Sequence, residues 1–185
     1  MQKINFELYK PSELELWISN HYINNGIATP SELTIKNVAG VFNIQVNYYT
    51  GPPFAEWEET TNGYSFIFLN DRKHRFDQKN DFFHELCHPL RHVGKQEELP
   101  ELFQRLQEMQ ATQFQLIAAM PHYLLQQVSV GVYWDNYIHT LSERFEQPLE
   151  FVEQRMRQVL ARIEQEKFFQ WQHVAEQKGI YNIAR

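Results

Sequence analysis

Five residues constrain this chain more than any others: His84-Glu85-Leu86-Cys87-His88, an H-E-x-x-H pattern. The pattern has chemical meaning only on an α-helix. There residues i and i+4 stand one above the other on one face, so two imidazoles can grip one Zn²⁺ ion at about 2.0–2.1 Å each. Glu85 follows the first histidine and is placed as general base for a water activated at the metal. Three fixed letters are not specific by themselves. The flanking sequence must therefore supply a helix, a further ligand and a body to carry them.

The run from Gln78 to Val93 supplies the helix, with Phe82, Phe83, Leu86, Leu90 and Val93 close to helical spacing. Asp77 and Asn80 are candidate caps for its start, and Gly94 is a candidate stop. Pro89 cannot donate to the carbonyl of residue 85, which predicts a bend just after the second histidine. A hydrolytic zinc site keeps three protein ligands and one open position. Several residues compete for the third place. His92 is at i+4 from His88, whereas Gly94 stands where the last histidine of H-E-x-x-H-x-x-G-x-x-H would fall. Glu97 and Glu98 lie in a predicted connection. Glu101 and Glu108 lie seven residues apart on one face of a predicted helix over residues 100–120. Ala111 follows Glu108 by one turn, and a small residue there lets the two helices come close enough for a carboxylate to reach the ion. That favours Glu108.

At these residues the chain resembles the ImmA/IrrE family of metallopeptidases. The segment Phe82-Phe83-His84-Glu85-Leu86-Cys87-His88-Pro89-Leu90-Arg91-His92 resembles the active helix of that family. A second signature is similar to residues 108–121, from Glu108 through Ala111 to Met120-Pro121. The resemblance covers roughly residues 35–165. It implies His84, His88 and Glu108 as metal ligands, Glu85 as the catalytic base, and zinc as the ion, with manganese an alternative in the cell. It also implies an intracellular endopeptidase that cleaves one protein, typically a helix-turn-helix repressor of a prophage or mobile element. At 185 residues the chain is expected to be of the short, ImmA-like type without a sensor domain. The departures are Cys87 for the usual Gly, Pro89 for a small apolar residue and Thr112 for the common Asn. None removes a ligand.

Beyond the ligands, Cys87 reads as a small buried hydrophobe, or else as a redox-sensitive thiol beside the zinc. A second oxyanion donor is usual in such chemistry; His92, His122, Tyr123 and Arg91 are candidates by proximity, with a core role weighed against it for His122 and Tyr123. Two rival functions share these residues: a non-catalytic metal-containing binding or anti-repressor module, and a peptidase-like component of a toxin–antitoxin pair.

Composition narrows the class. Net charge is −6, which argues against phosphate-backbone binding as the main task. A single cysteine excludes an internal disulfide and fits a reducing cytoplasm. The N-terminus lacks a signal-peptide core, and no stretch approaches the ~20 apolar residues of a membrane span. The rest of the chain predicts an α+β fold, mostly helical, in one domain over 1–185. Residues 1–43 form N-terminal helices: one capped by Ser12 and Glu15, a second opened by Thr29-Pro30. Residues 44–121 carry the metal-site helices and a small three-stranded antiparallel sheet packed on the H-E-x-x-H helix. The sheet comes from alternation over 44–48 and two β-rich runs around Asn62-Gly63. Its edge strand is a candidate receiver for an extended substrate. Residues 122–185 form C-terminal helices, 134–146 and 148–170, with a helix-turn-helix rhythm around Gln147-Pro148. The second begins Pro-Leu-Glu-Phe-Val-Glu, too acidic to read DNA, so packing or substrate docking is expected there.

Overall fold

The structure, a computed structural model, describes residues 4–58, 63–94, 99–128 and 133–177. It is α+β and mostly helical. In chain order the elements are α1 (Glu13–Asn24), α2 (Ile35–Val41), β1 (Gln45–Tyr49), β2 (Phe54–Trp57), β3 (Ser65–Asn70), α3 (Arg75–Glu85), α4 (Cys87–Arg91), α5 (Glu101–Ala119), α6 (His122–Leu125), α7 (Trp134–Phe145) and α8 (Leu149–Gln177). None of the described helices is long and apolar enough to cross a membrane.

Local chemistry explains most boundaries. Ser12 and Glu15 form a reciprocal capping box at the start of α1. Gly26, at φ +82°, takes the left-handed turn after it. The helix expected from Thr29-Pro30 is instead a 3₁₀ turn, Pro30–Glu32, followed by the shorter α2. Glu32 draws the backbone N–H groups of Ala28 and Thr29 onto its carboxylate at 2.8 and 2.9 Å. Thr34 then caps a new start by accepting from the Asn37 N–H.

The sheet is mixed, which corrects the antiparallel expectation. Its order is β1-β3-β2, with β1 parallel and β2 antiparallel to β3. β3 is the most apolar strand, and its Ile67 and Leu69 are fully buried. It therefore takes the centre and separates β1 from β2. Gly51-Pro52-Pro53 cannot form a tight hairpin, because two successive prolines lack the N–H groups that a ladder needs. The predicted β2–β3 pairing is present, but Asn62 of its turn lies outside the described residues.

The helix bearing the motif starts earlier than expected and is broken. His74, rather than Asp77 or Asn80, caps α3 by accepting from the Phe76 N–H. The helix then stops at Glu85, and α4 resumes at Cys87. Pro89 is the cause: without its N–H the carbonyl of Glu85 loses its helical donor. The break thus falls one turn before the proline, inside the motif rather than after it. Leu86 keeps helical dihedrals, φ −61° and ψ −29°, so the i, i+4 relation of the histidines survives.

α3 and α4 pack against α5, where Ala111, Phe114, Ile117 and Ala118 join Phe82, Phe83 and Leu86 in the core. The α7–α8 corner braces α3 from behind. Glu146, left-handed at φ 53°, accepts from buried Lys79, and Asn80 donates to Gln147 at 2.9 Å. Asn80 is held in turn by Gln115 of α5. The region read as helix-turn-helix-like is thus a buttress for the helix that carries His84. α8 runs on through Gln177, past the expected end at residue 170.

Candidate metal centre

α3 and α4 present His84 and His88 on one face, and α5 presents Glu108 opposite them. Donor atoms of the three all lie within 4.8 Å of one another. His84 Nε2 is 3.1 Å and His88 Nε2 3.8 Å from the two carboxylate oxygens of Glu108. A tetrahedral ion with bonds of about 2.0–2.1 Å spaces its donors by roughly 3.3–3.4 Å. The three side chains therefore suit a small divalent cation with little movement. Ala111, fully buried one turn along α5, permits this close approach of helices.

The electrostatics favour a metal site. Burial is the largest influence on His88 and pushes it down to about 4, helped by His84 and His92 and opposed by Glu108. Its ring is therefore neutral near pH 7, as a metal ligand must be. Glu85 is buried beside the cluster. Burial, then the charges of Glu108 and Asp81, raise its carboxyl to about 7, against a hydrogen bond from the Ala55 backbone N–H. A carboxyl at that value can both accept and return a proton near neutral pH.

The secondary candidates separate clearly. His92 is buried, and its Nδ1 lies 3.0 Å from His88 Nδ1, so it stands behind His88 rather than in the donor cluster. Cys87 is also outside the cluster. Burial pushes its thiol up to about 12, and it lines a groove of about 480 Å³ between α1, α4 and α5. It is a packed hydrophobe rather than a reactive thiolate. Tyr123 donates its hydroxyl to the Ile27 carbonyl at 2.7 Å. His122 sits against Tyr9, with Glu15 and Arg155 near enough to influence its charge. Arg91 lies over the Trp17 ring at 5.8 Å. Glu101 pairs with Arg105, and Glu97 and Glu98 lie outside the described residues.

Two features escaped the sequence reading. Trp57 of β2 stacks on His88, with ring centroids 6.3 Å apart, and the Ala55 N–H reaches Glu85. Both come from strand β2, about thirty residues upstream of the motif. Only the side on which β2 joins the sheet brings them there, and no local pattern reports that.

A broken helix carrying two histidines and a glutamate, faced by a carboxylate from a second helix and flanked by a small mixed sheet, is the architecture of a metallopeptidase-type fold. The chain belongs to the peptidase M78 family: the family model described as the IrrE N-terminal-like domain matches residues 39–157. It is 32% identical over 146 residues to the phage-like element PBSX protein XkdA of Bacillus subtilis (strain 168), covering 78% of this chain and 72% of that protein. It is 25% identical over 162 residues to the uncharacterized protein YqaB of the same strain, covering 88% and 92%. No solved structure matches it.

Proposed function

We propose that the protein is a zinc-dependent endopeptidase of the cytoplasm that cleaves one specific protein, a helix-turn-helix repressor of a prophage or mobile element. The observation that carries the peptidase reading is the convergence of His84, His88 and Glu108 with Glu85 buried alongside. The prophage setting rests on the likeness to a protein named for a phage-like element. When bound, the cation supplies Lewis acidity that polarises the scissile carbonyl and acidifies water. Glu85 takes the proton of the attacking water, and the oxygen bonds to the carbonyl carbon. As the C–N bond breaks, Glu85 passes that proton to the departing amine.

Strand β2 supplies a place for the substrate. The Glu58 N–H donates to the Tyr64 carbonyl, so residues 54, 56 and 58 bond to β3. Residues 55 and 57 then direct their backbone groups away from the sheet, on the side where Ala55 meets Glu85. Because Glu85 takes the Ala55 N–H, an extended peptide added to this edge would pair with the Ala55 carbonyl and the Trp57 backbone and so run past Glu85 and His88.

The test is incubation with candidate helix-turn-helix repressors, any encoded beside this chain first, with Zn²⁺ or Mn²⁺, read by intact mass. The expected result is two fragments that sum to the repressor plus one water, absent with Glu85→Gln. An intact repressor with a metal-loaded wild type would overturn the peptidase reading in favour of a binding module.

A further inference from the structure

The metal-site reading leaves one buried group without a task. His92 closes α4, is 6% exposed, and is fixed to the helix by its own N–H, which donates to the His88 carbonyl at 3.0 Å. Its ring faces the ring of His88, Nδ1 to Nδ1, at 3.0 Å. At that distance one nitrogen must donate and the other accept, because two lone pairs or two N–H bonds would repel.

The identity of the donor follows from the other side of His88. Its Nε2 faces Glu108 as the atom available to a cation. A neutral imidazole has one N–H, so a free Nε2 lone pair places the proton on Nδ1. His88 Nδ1–H then donates, and His92 Nδ1 accepts. His92 in turn carries its proton on Nε2, which lies 3.9 Å from Cys87 Sγ, a weak acceptor. The side chain of Gln110 also hydrogen-bonds the His92 ring.

We propose that His92 is a positioning residue: by accepting the Nδ1 proton of His88 it locks that ring in the tautomer and orientation that present Nε2 to the metal. Carboxylates and backbone carbonyls commonly do this for metal-bound histidines. Here a second, neutral histidine does it, supplied by the same helix face one turn on. The inference rests on the metal-site reading above.

The test compares Zn²⁺ affinity, by competition with a chromogenic chelator, in the wild type, His92→Asn, His92→Phe and His88→Ala. The amide oxygen of Asn takes the place of Nδ1 as acceptor, whereas Phe keeps the ring without it. His92→Phe is expected to weaken Zn²⁺ binding roughly 10–100-fold, and His92→Asn to stay within about threefold of wild type by retaining that acceptor. Undiminished binding by His92→Phe would overturn the proposal. So would equal losses in both His92 variants, which would assign the effect to ring packing. Unchanged binding by His88→Ala would instead overturn the metal-site reading itself. A second measurement needs no variant: long-range ¹H–¹⁵N spectra of histidine-labelled, zinc-loaded wild type should show His88 protonated at Nδ1. Protonation at Nε2 would overturn the inference.

Discussion

At the scale of single residues, the proposed function divides the site into groups that would hold a cation and one that would move a proton. Glu85 is the second kind, and its substitution by Gln keeps size and hydrogen bonding while removing the basic oxygen. We expect cleavage to fall roughly 10²–10⁴-fold with metal content unchanged; a loss of bound zinc in Glu85→Gln would make Glu85 a ligand instead. His88→Ala should do the reverse, releasing metal and with it all activity, as measured by elemental analysis after gel filtration. The convergence of His84, His88 and Glu108 was legible because helical spacing is a local property: the two histidines need only one turn, and Glu108 was marked by Ala111 on the same face. The partners were not legible in the same way. Tyr123 and His122 follow the second signature closely in sequence, yet Tyr123 is spent on the Ile27 carbonyl and His122 is packed against Tyr9. Nearness along the chain says nothing about which way a short helix turns its side chains.

At the scale of elements, the consequence of Pro89 is sharper than a bend. The proline sits in the first turn of α4, where a missing N–H leaves nothing unsatisfied within α4 itself. The cost has been moved to the carbonyl of Glu85, at the end of α3. Pro89→Ala should therefore change stability by less than about 1 kcal/mol, instead of recovering the ~3 kcal/mol penalty of a proline in a helix interior. Urea denaturation of both proteins checks this, and a gain near 3 kcal/mol would mean that the two helices join when the proline is removed. The sheet makes a related point. The sequence placed both ends of β1 and β3 to within one residue and the start of β2 at Phe54, although β2 ends at Trp57 and not at the expected residue 60; the strand order depends on which strand buries both edges, a tertiary matter. β3 wins the centre through Ile67 and Leu69, and that choice turns β1 parallel and leaves β2 at the edge beside Glu85.

At the scale of the whole molecule, α1 and α8 meet in a buried charge cluster that no local pattern announced. Glu15 of α1 is fully buried; Arg155 of α8, also fully buried, donates to it at 2.8 Å. Tyr9 and Arg162 donate to the same carboxylate, and Arg155 reaches across to the Met120 carbonyl at the end of α5. The sequence revealed Glu15 only as half of a capping box, because its second role depends on a residue 140 positions away. The cluster ties α1 and α8 to the helix that carries Glu108. Removing one partner leaves a buried charge uncompensated, so Arg155→Met should cost roughly 3–5 kcal/mol. The cluster also sets an acid limit. Burial acts to raise the Glu15 carboxyl, but Arg155, the Tyr9 hydroxyl and the Ser12 N–H outweigh it and hold the group at about 2, below its ordinary value of 4.5. A carboxyl depressed by folding stabilises the folded state above its unfolded value and ceases to do so as pH falls through the folded one. The contribution is on the order of 3 kcal/mol, complete above about pH 5 and lost progressively between about pH 4.5 and 2. Urea denaturation of His122→Asn and the double variant His122→Asn/Glu15→Gln across pH 7 to 3 isolates it, since His122, whose charge Glu15 influences, is then absent from both. The stability gap between them should be constant from pH 7 to 5 and narrow below pH 4.5; a gap that stays constant down to pH 3 would mean that Glu15 is not the group that titrates.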